Sequence, residues 1–252
     1  MILAPAFLTR PIAHRALHGP GRPENSRAAV AAAVDHGYGI EIDVQLSRDG
    51  SAMVFHDDTL DRLTPETGAI RQRDAAALTR IPLKGSDETI PMLADLLDLV
   101  AGRVPLLIEV KDQDGALGPD VGALERAVAE TVAGYDGPLA VMSFNPHAIA
   151  AMARLLPDVP RGLTTCSFAA GDWPLDSERR AQLATIPDYD RVGASFISHE
   201  HRDLSNPRLP ELRRQGAGLL CWTIRSVEEE AVARQVADNV TFEGYLPSFS
   251  TS

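Results

Sequence analysis

The segment from His14 to Asp57 gathers the residue types that cutting a phosphate ester around a cation requires: two imidazoles, an arginine beside the first, and carboxylates at alternate positions between them. In GIEIDV, residues 39–44, apolar and acidic residues alternate with period two. In a strand, Glu41 and Asp43 then share one face and Ile40 and Ile42 the other. Two neighbouring carboxylates, buried and unpaired, would cost several kcal/mol, so a cation, a basic side chain or a shared proton has to neutralise them. Hard oxygen ligands of this kind suit magnesium or calcium. The plainer alternative is a polar strand face with solvated carboxylates.

The following LSRDGSAMVFHDD reads as a hairpin turning at Arg-Asp-Gly. A turn at Arg48 and Asp49 pairs residues whose numbers sum to 97 and sets His56 opposite Glu41; a turn at Asp49 and Gly50 gives 99 and sets it opposite Asp43. Either register puts the imidazole on the carboxylate face. A bulged three-residue loop would shift that parity. Upstream, a short apolar strand ends in His14 and Arg15. Phosphodiester cleavage needs a base for the nucleophile and an acid for the leaving oxygen, work suited to two imidazoles, and Arg15 can grip two phosphate oxygens at once. The strand RVPLLIEVKD adds Glu109, a third carboxylate for the metal, and Lys111, a charge for the phosphate. Taken alone, that pair reads more simply as a Glu–Lys contact at a strand end. His18, His36, His147, His199 and His201 have no comparable setting, although His199 follows a strand and could reach the site.

HRAL, PENS, IEIDVQLSRDG, VFHDDTLDRLT, LLIEVK, SFNP and CWTI occur in this order along nearly the whole chain. In this the sequence resembles the glycerophosphodiester phosphodiesterase family. The resemblance implies a barrel, a divalent cation (Mg2+ or Ca2+), and hydrolysis of small-molecule glycerophosphodiesters to glycerol 3-phosphate and an alcohol. By matching position it implies His14 and His56 as acid and base, Glu41, Asp43 and Glu109 as metal ligands, and Arg15 and Lys111 at the phosphate. Two positions depart from the family pattern. Ala16 replaces the glycine usual after HR, a change that an α or β conformation would accept. Glu243 stands where an aspartate often ends the last strand, either as an anchor behind the site or on its rim.

Eight strand candidates must position these groups: 11–14, 39–46, 104–111, 139–143, 161–165, 192–198, 218–223 and 239–243, with 51–55 as a return arm. Helical patterns at 26–36, 92–100, 121–132, 146–155 and 227–236 alternate with them. The expected class is α/β, a (β/α)8 TIM-type barrel, with an open doubly wound sheet as runner-up. His14, Asp43, Glu109, Ser143 and Trp222 fall at or near the carboxyl ends of strands, where such barrels hold their sites. Trp222 is expected either against glycerol carbons with its indole donating a hydrogen bond or as plain buried core. Residues 57–89 are too long for an ordinary loop and are expected to fold over the mouth as a small cap that selects the alcohol.

At 252 residues and 44% hydrophobic content, one domain spanning 1–252 is expected. The N-terminus lacks a basic start and a long apolar run, no stretch is long enough for a membrane span, and Cys166 and Cys221 lack metal-ligand spacing, which together favour a reduced cytoplasmic protein. A net charge of −11 opposes nucleic acid and anionic membranes, and makes local cations necessary for an anionic substrate. A homo-oligomer is allowed. Competing readings are a lysophospholipase D, disfavoured because residues 59–89 hold few large apolar side chains; a noncatalytic phosphodiester-binding barrel, which needs no acid and base; and a metal-dependent isomerase or aldolase, for which no Schiff-base lysine is evident.

Overall fold

The computed structural model describes residues 2–249; Met1 and residues 250–252, the ends of the expected domain, lie outside the described residues. Nine strands form one sheet: β1 (Ile12–Ala13), β2 (Gly39–Leu46), β3 (Ala52–Val54), β4 (Leu106–Val110), β5 (Leu139–Ser143), β6 (Arg161–Thr165), β7 (Phe196–Glu200), β8 (Gly218–Ile224) and β9 (Asn239–Phe242). All neighbours pair in parallel except β2 and β3, and β1 pairs with both β2 and β9. The sheet therefore closes into the eight-stranded barrel expected, with β3 as an antiparallel extension of β2.

Alternation along β2 sorts its side chains as the sequence requires. Ile40, Ile42 and Val44 are fully buried in the layer beneath the helices, each contributing about 1.5–3 kcal/mol of apolar burial, while Glu41 and Asp43 face the barrel axis. Below them, Ile12, Leu107, Ala140, Met142, Phe196 and Leu220 fill the interior, closed by Leu3 and Phe7 around the short helix Ala6–Thr9. The Asn239 amide ties that plug in place by donating to the carbonyls of Phe7 (2.8 Å) and Arg10 (2.6 Å).

The expected strand at 192–198 lies further along, because residues 188–194 form turns: Val192 N–H donates to Asp188, Gly193 sits at φ +61, and Ala194 N–H donates to Tyr189. The helices Ser177–Ala184 and Arg208–Arg214 were not among those expected. Residues 57–89 carry the helix Ala75–Leu78 and a core of their own, in which Leu60, Ile70, Leu78, Ile81 and Leu83 join Met53 and Phe55. The large apolar residues of this segment were thus underrated; they turn inward to hold it together. Among the described residues, no helix is long and apolar enough to cross a membrane.

Candidate active site

The hairpin after β2 has neither expected register. Val44 pairs with Val54 and Leu46 with Ala52, a sum of 98, because the loop is the three-residue Arg48–Asp49–Gly50 form with Gly50 at φ +87. Continued, that pairing would set His56 opposite Ile42 and away from the carboxylates. Instead the strand ends at Val54, the Gln45 amide holds the His56 carbonyl at 3.0 Å, and the imidazole returns to the axis beside Asp43 and Glu109.

Glu41, Asp43 and Glu109 come together there, each offering an oxygen within 4.8 Å of the others, all three buried. Lys111 Nζ lies 2.7 Å from Glu109 Oε1 and 3.0 Å from Asp43 Oδ1, and Arg15 Nε is 3.7 Å from Asp43 Oδ2. Burial would raise the Asp43 carboxyl, but Lys111, His56, Arg15 and the amide of Asn25 outweigh it and hold it far below the usual carboxylate range. Glu41 has less such help, from Arg15 alone. Burial, then repulsion from Asp43 and Glu109, push it well above that range, although Arg15 N–H donates to it at 2.7 Å. A buried trio of hard oxygen donors short of positive charge fits a divalent cation of the magnesium or calcium type.

Each catalytic-candidate imidazole is held from behind. His14 Nδ1 is 2.8 Å from Glu243 Oε2 and His56 Nδ1 is 2.7 Å from Asp57 Oδ1. A carboxylate only accepts, so Nδ1 carries the hydrogen and Nε2 is left free in both rings. Burial lowers the His14 pKa by more than Glu243 raises it, leaving a neutral imidazole. Glu243 is fixed in turn by Arg225 Nε at 2.7 Å, so it is the anchor rather than a rim residue. Arg62 bridges the two halves: it donates to Asp57 at 2.7 and 2.8 Å and to Glu24 at 2.8 and 2.9 Å, while Glu24 also accepts from Arg15 at 2.9 Å.

Two cavities meet at these groups. A small one of about 180 Å3 is lined by His14, Arg15 and the three carboxylates together with the hydroxyls of Thr164, Ser198 and Thr241, which are buried and have no hydrogen-bond partner among the described residues. A larger one of about 750 Å3 opens between residues of the cap segment, the loop after β4, and the rings of Phe144, Trp173 and Trp222. His56, Glu109, Lys111, Phe144 and Trp222 line both.

The glycerophosphoryl diester phosphodiesterase family model matches residues 14–240, which takes in the site residues from His14 to Arg225 but not Thr241 and Glu243. The chain belongs to that family. It is 30% identical over 231 residues to the glycerophosphodiester phosphodiesterase of Caldanaerobacter subterraneus subsp. tengcongensis, covering 86% of each chain. It superimposes with a TM-score of 0.75 on an Oleispira antarctica phosphodiesterase in complex with the product sn-glycerol-3-phosphate, at 26% identity over 94% of each chain. The glycerophosphodiester phosphodiesterase of Thermotoga maritima shares the fold at a TM-score of 0.71 and 20% identity, over 92% of each chain.

As a member of this family the protein is a phosphoric diester hydrolase, and the structure bears on three expectations about its site. Trp222 does not offer its indole N–H to a ligand, because Ser198 O accepts it at 3.0 Å; the ring face alone remains. His199 points away from the axis, buried between Thr165 Oγ1 (2.7 Å) and Asp203 (3.1 Å). Ala16 takes neither an α nor a β conformation but lies at φ +64 after Arg15 at +52. Glu24, Asn25, Asp57 and Arg62 were missed as site residues, although PENS and HDDTLDR contain them. In the first, Asn25 donates to Asp43 Oδ2 at 2.9 Å and Ser26 caps the helix Arg27–His36. In SFNP, the Ser143 hydroxyl donates to Val110 O at 2.6 Å and the Asn145 amide to Asp112 Oδ1 at 2.7 Å, fixing the loop after β4.

Proposed function

We propose that the protein hydrolyses glycerophosphodiesters with the glycerol phosphate in the small cavity and the alcohol in the large one. The observation that carries this reading is that His56 lines both cavities and His14 the small one alone. The bond to be cut then lies at the junction. His14, neutral and with Nε2 free, takes the proton from the attacking hydroxyl, that of a water or of the glycerol, the second route giving a cyclic phosphate that water then opens to glycerol 3-phosphate; His56, backed by Asp57, gives a proton to the departing alcohol. Arg15 and Lys111 steady the phosphate charge. Glu41, Asp43 and Glu109 would hold the divalent cation, whose Lewis acidity, when bound, lowers the charge on the phosphate and the pKa of a coordinated hydroxyl. The Thr164, Ser198 and Thr241 hydroxyls are free to meet those of glycerol. The product complex of the Oleispira relative agrees with a glycerol 3-phosphate product. A lysophospholipase D would carry its acyl chain on the glycerol, and a cavity of about 180 Å3 lined by charges and hydroxyls suits a chain of that kind poorly.

Leaving groups of different basicity test the two roles. With ethanolamine as leaving group, His56→Ala should lose on the order of 10²–10⁴ in kcat; with 4-nitrophenolate, which leaves unprotonated, it should stay within about tenfold of the parent. His14→Ala should be equally impaired on both. The opposite pattern, or equal losses in both variants, rejects the assignment. Excess chelator should stop glycerol 3-phosphate release, and magnesium or calcium should raise the melting temperature of the wild type but not of Glu41→Gln.

A further inference from the structure

His56 is held at two points, and only one of them is its ring. It lies past Val54, the last residue of β3 paired with β2, so the sheet gives its carbonyl no partner. The Gln45 side chain supplies one, donating from Nε2 at 3.0 Å. Gln45 extends the Glu41–Asp43 face of β2 by two residues and is buried, where an amide without partners would be costly. Its Oε1 accepts from Gln113 Nε2 at 2.9 Å, and the same nitrogen donates to Lys111 O, also at 2.9 Å. Both ends of this chain, His56 O and Lys111 O, are backbone carbonyls, which can only accept. Lys111 O therefore requires the nitrogen of Gln113, that nitrogen requires the oxygen of Gln45, and the nitrogen of Gln45 is left for His56. Flipping either amide sets like atoms against each other. From the cap side, Arg71 donates to Gln113 O at 3.4 Å, so the loop after β4 is steadied from both directions.

We infer that Gln45 is a positioning residue for His56, and that Gln113 acts through it by fixing which way the Gln45 amide faces. Asp57 sets the tautomer of the ring; the two glutamines set the backbone from which the ring projects. Without them residues 55–57 lose their tie to β2, and proton transfer falls steeply with misplacement on the order of 1 Å. In its effect on turnover this rests on the reading of His56 as the acid.

The test compares Gln45→Met, Gln113→Ala, the double variant and His56→Ala with the parent on the ethanolamine and 4-nitrophenol esters. With ethanolamine leaving, each glutamine variant should lose about 10- to 100-fold in kcat, with KM within about twofold. With 4-nitrophenolate, each should stay within about threefold of the parent. The double variant should lose no more than Gln45→Met alone, as residues acting as a unit do; losses that multiply overturn the role of Gln113. Equal losses on both esters, or none, beside a His56→Ala that does depend on the leaving group, overturn the inference and leave the hydrolytic reading standing. Should His56→Ala itself be indifferent to the leaving group, the acid assignment falls, and the His56 ring decides this one. Its proton resonances should broaden or split in both glutamine variants while those of His14 hold, and unchanged His56 resonances overturn the inference. Gln113 is half-buried on a loop, so Gln113→Ala carries the test if Gln45→Met does not fold.

Discussion

Glu243 shows how one side chain sets both the aim and the basicity of the proposed base, His14. Its carboxylate accepts from His14 Nδ1, so the ring is turned with Nε2 free. It also raises the His14 pKa against a larger lowering by burial. In Glu243→Gln the opposing effect of the anion is lost and the His14 pKa should fall further. With His14 as the proposed base, the acid limb of kcat/KM is expected below the ordinary imidazole value of about 6.5 in the parent and should move to lower pH in this variant, with kcat reduced and KM little changed. Glu243→Asp, which keeps the charge, should leave the limb near its original place; a limb that does not move in Glu243→Gln would remove Glu243 from this role. Ala16 is the second residue-scale case. Arg15 and Ala16 bend over the end of β2 because their N–H groups donate to the Glu41 carboxylate and carbonyl, at 2.7 and 2.9 Å, and that bend needs positive φ. Ala16→Gly should relieve about 1 kcal/mol of left-handed strain and raise the melting temperature by about 2–4 °C.

At the scale of elements, the cap segment is joined to the barrel mouth through Arg62, which donates to Glu24 on one side and Asp57 on the other. Both carboxylates are drawn below their ordinary range, Asp57 by hydrogen bonds from His56 and Arg62 and Glu24 chiefly by Arg62 and then Arg15, each against the effect of burial. Arg62→Ala should lower kcat on the order of 10- to 100-fold by loosening Asp57 behind His56, and should speed hydrogen exchange in residues 57–89 while the barrel strands stay protected. Unchanged exchange would show that the cap is held by its own core alone. This bridge marks the limit of what the sequence discloses. Glu41, Asp43 and Glu109 were readable because period-two alternation assigns a strand face without any knowledge of the partner. His56 reached the site by a different route from the one its parity suggested, since the odd loop at Gly50 and the end of pairing at Val54 cancel one another. Arg62 and Glu24 lie 38 positions apart, and no local period reports a contact made only when the cap folds back.

For the whole molecule, the barrel was countable because its strands are apolar runs followed mostly by apolar helices. The two outer helices that escaped notice have the weakest signals: SERRAQLA buries only Leu183, and RLPELRR contains Pro210. Packing along the axis was not readable at all, because it depends on which side chains from distant strands meet there. Gly162 of β6 and Phe196 of β7 are paired in register, and a Cβ at Gly162 would stand 2.4 Å from the Phe196 ring. The glycine is there to admit the ring, since its backbone has no positive φ to accommodate. Gly162→Ala should therefore cost about 1–3 kcal/mol by overpacking, and Phe196→Leu alone should cost a comparable amount through the space it leaves. Combined, the added methyl occupies part of that space, so the double variant should be more stable than the sum of the two losses by on the order of 1 kcal/mol. Chemical denaturation of the four proteins measures this directly. Strict additivity would mean that ring and glycine are independent, and that the axis is held instead by the N-terminal plug of Leu3 and Phe7 beneath them.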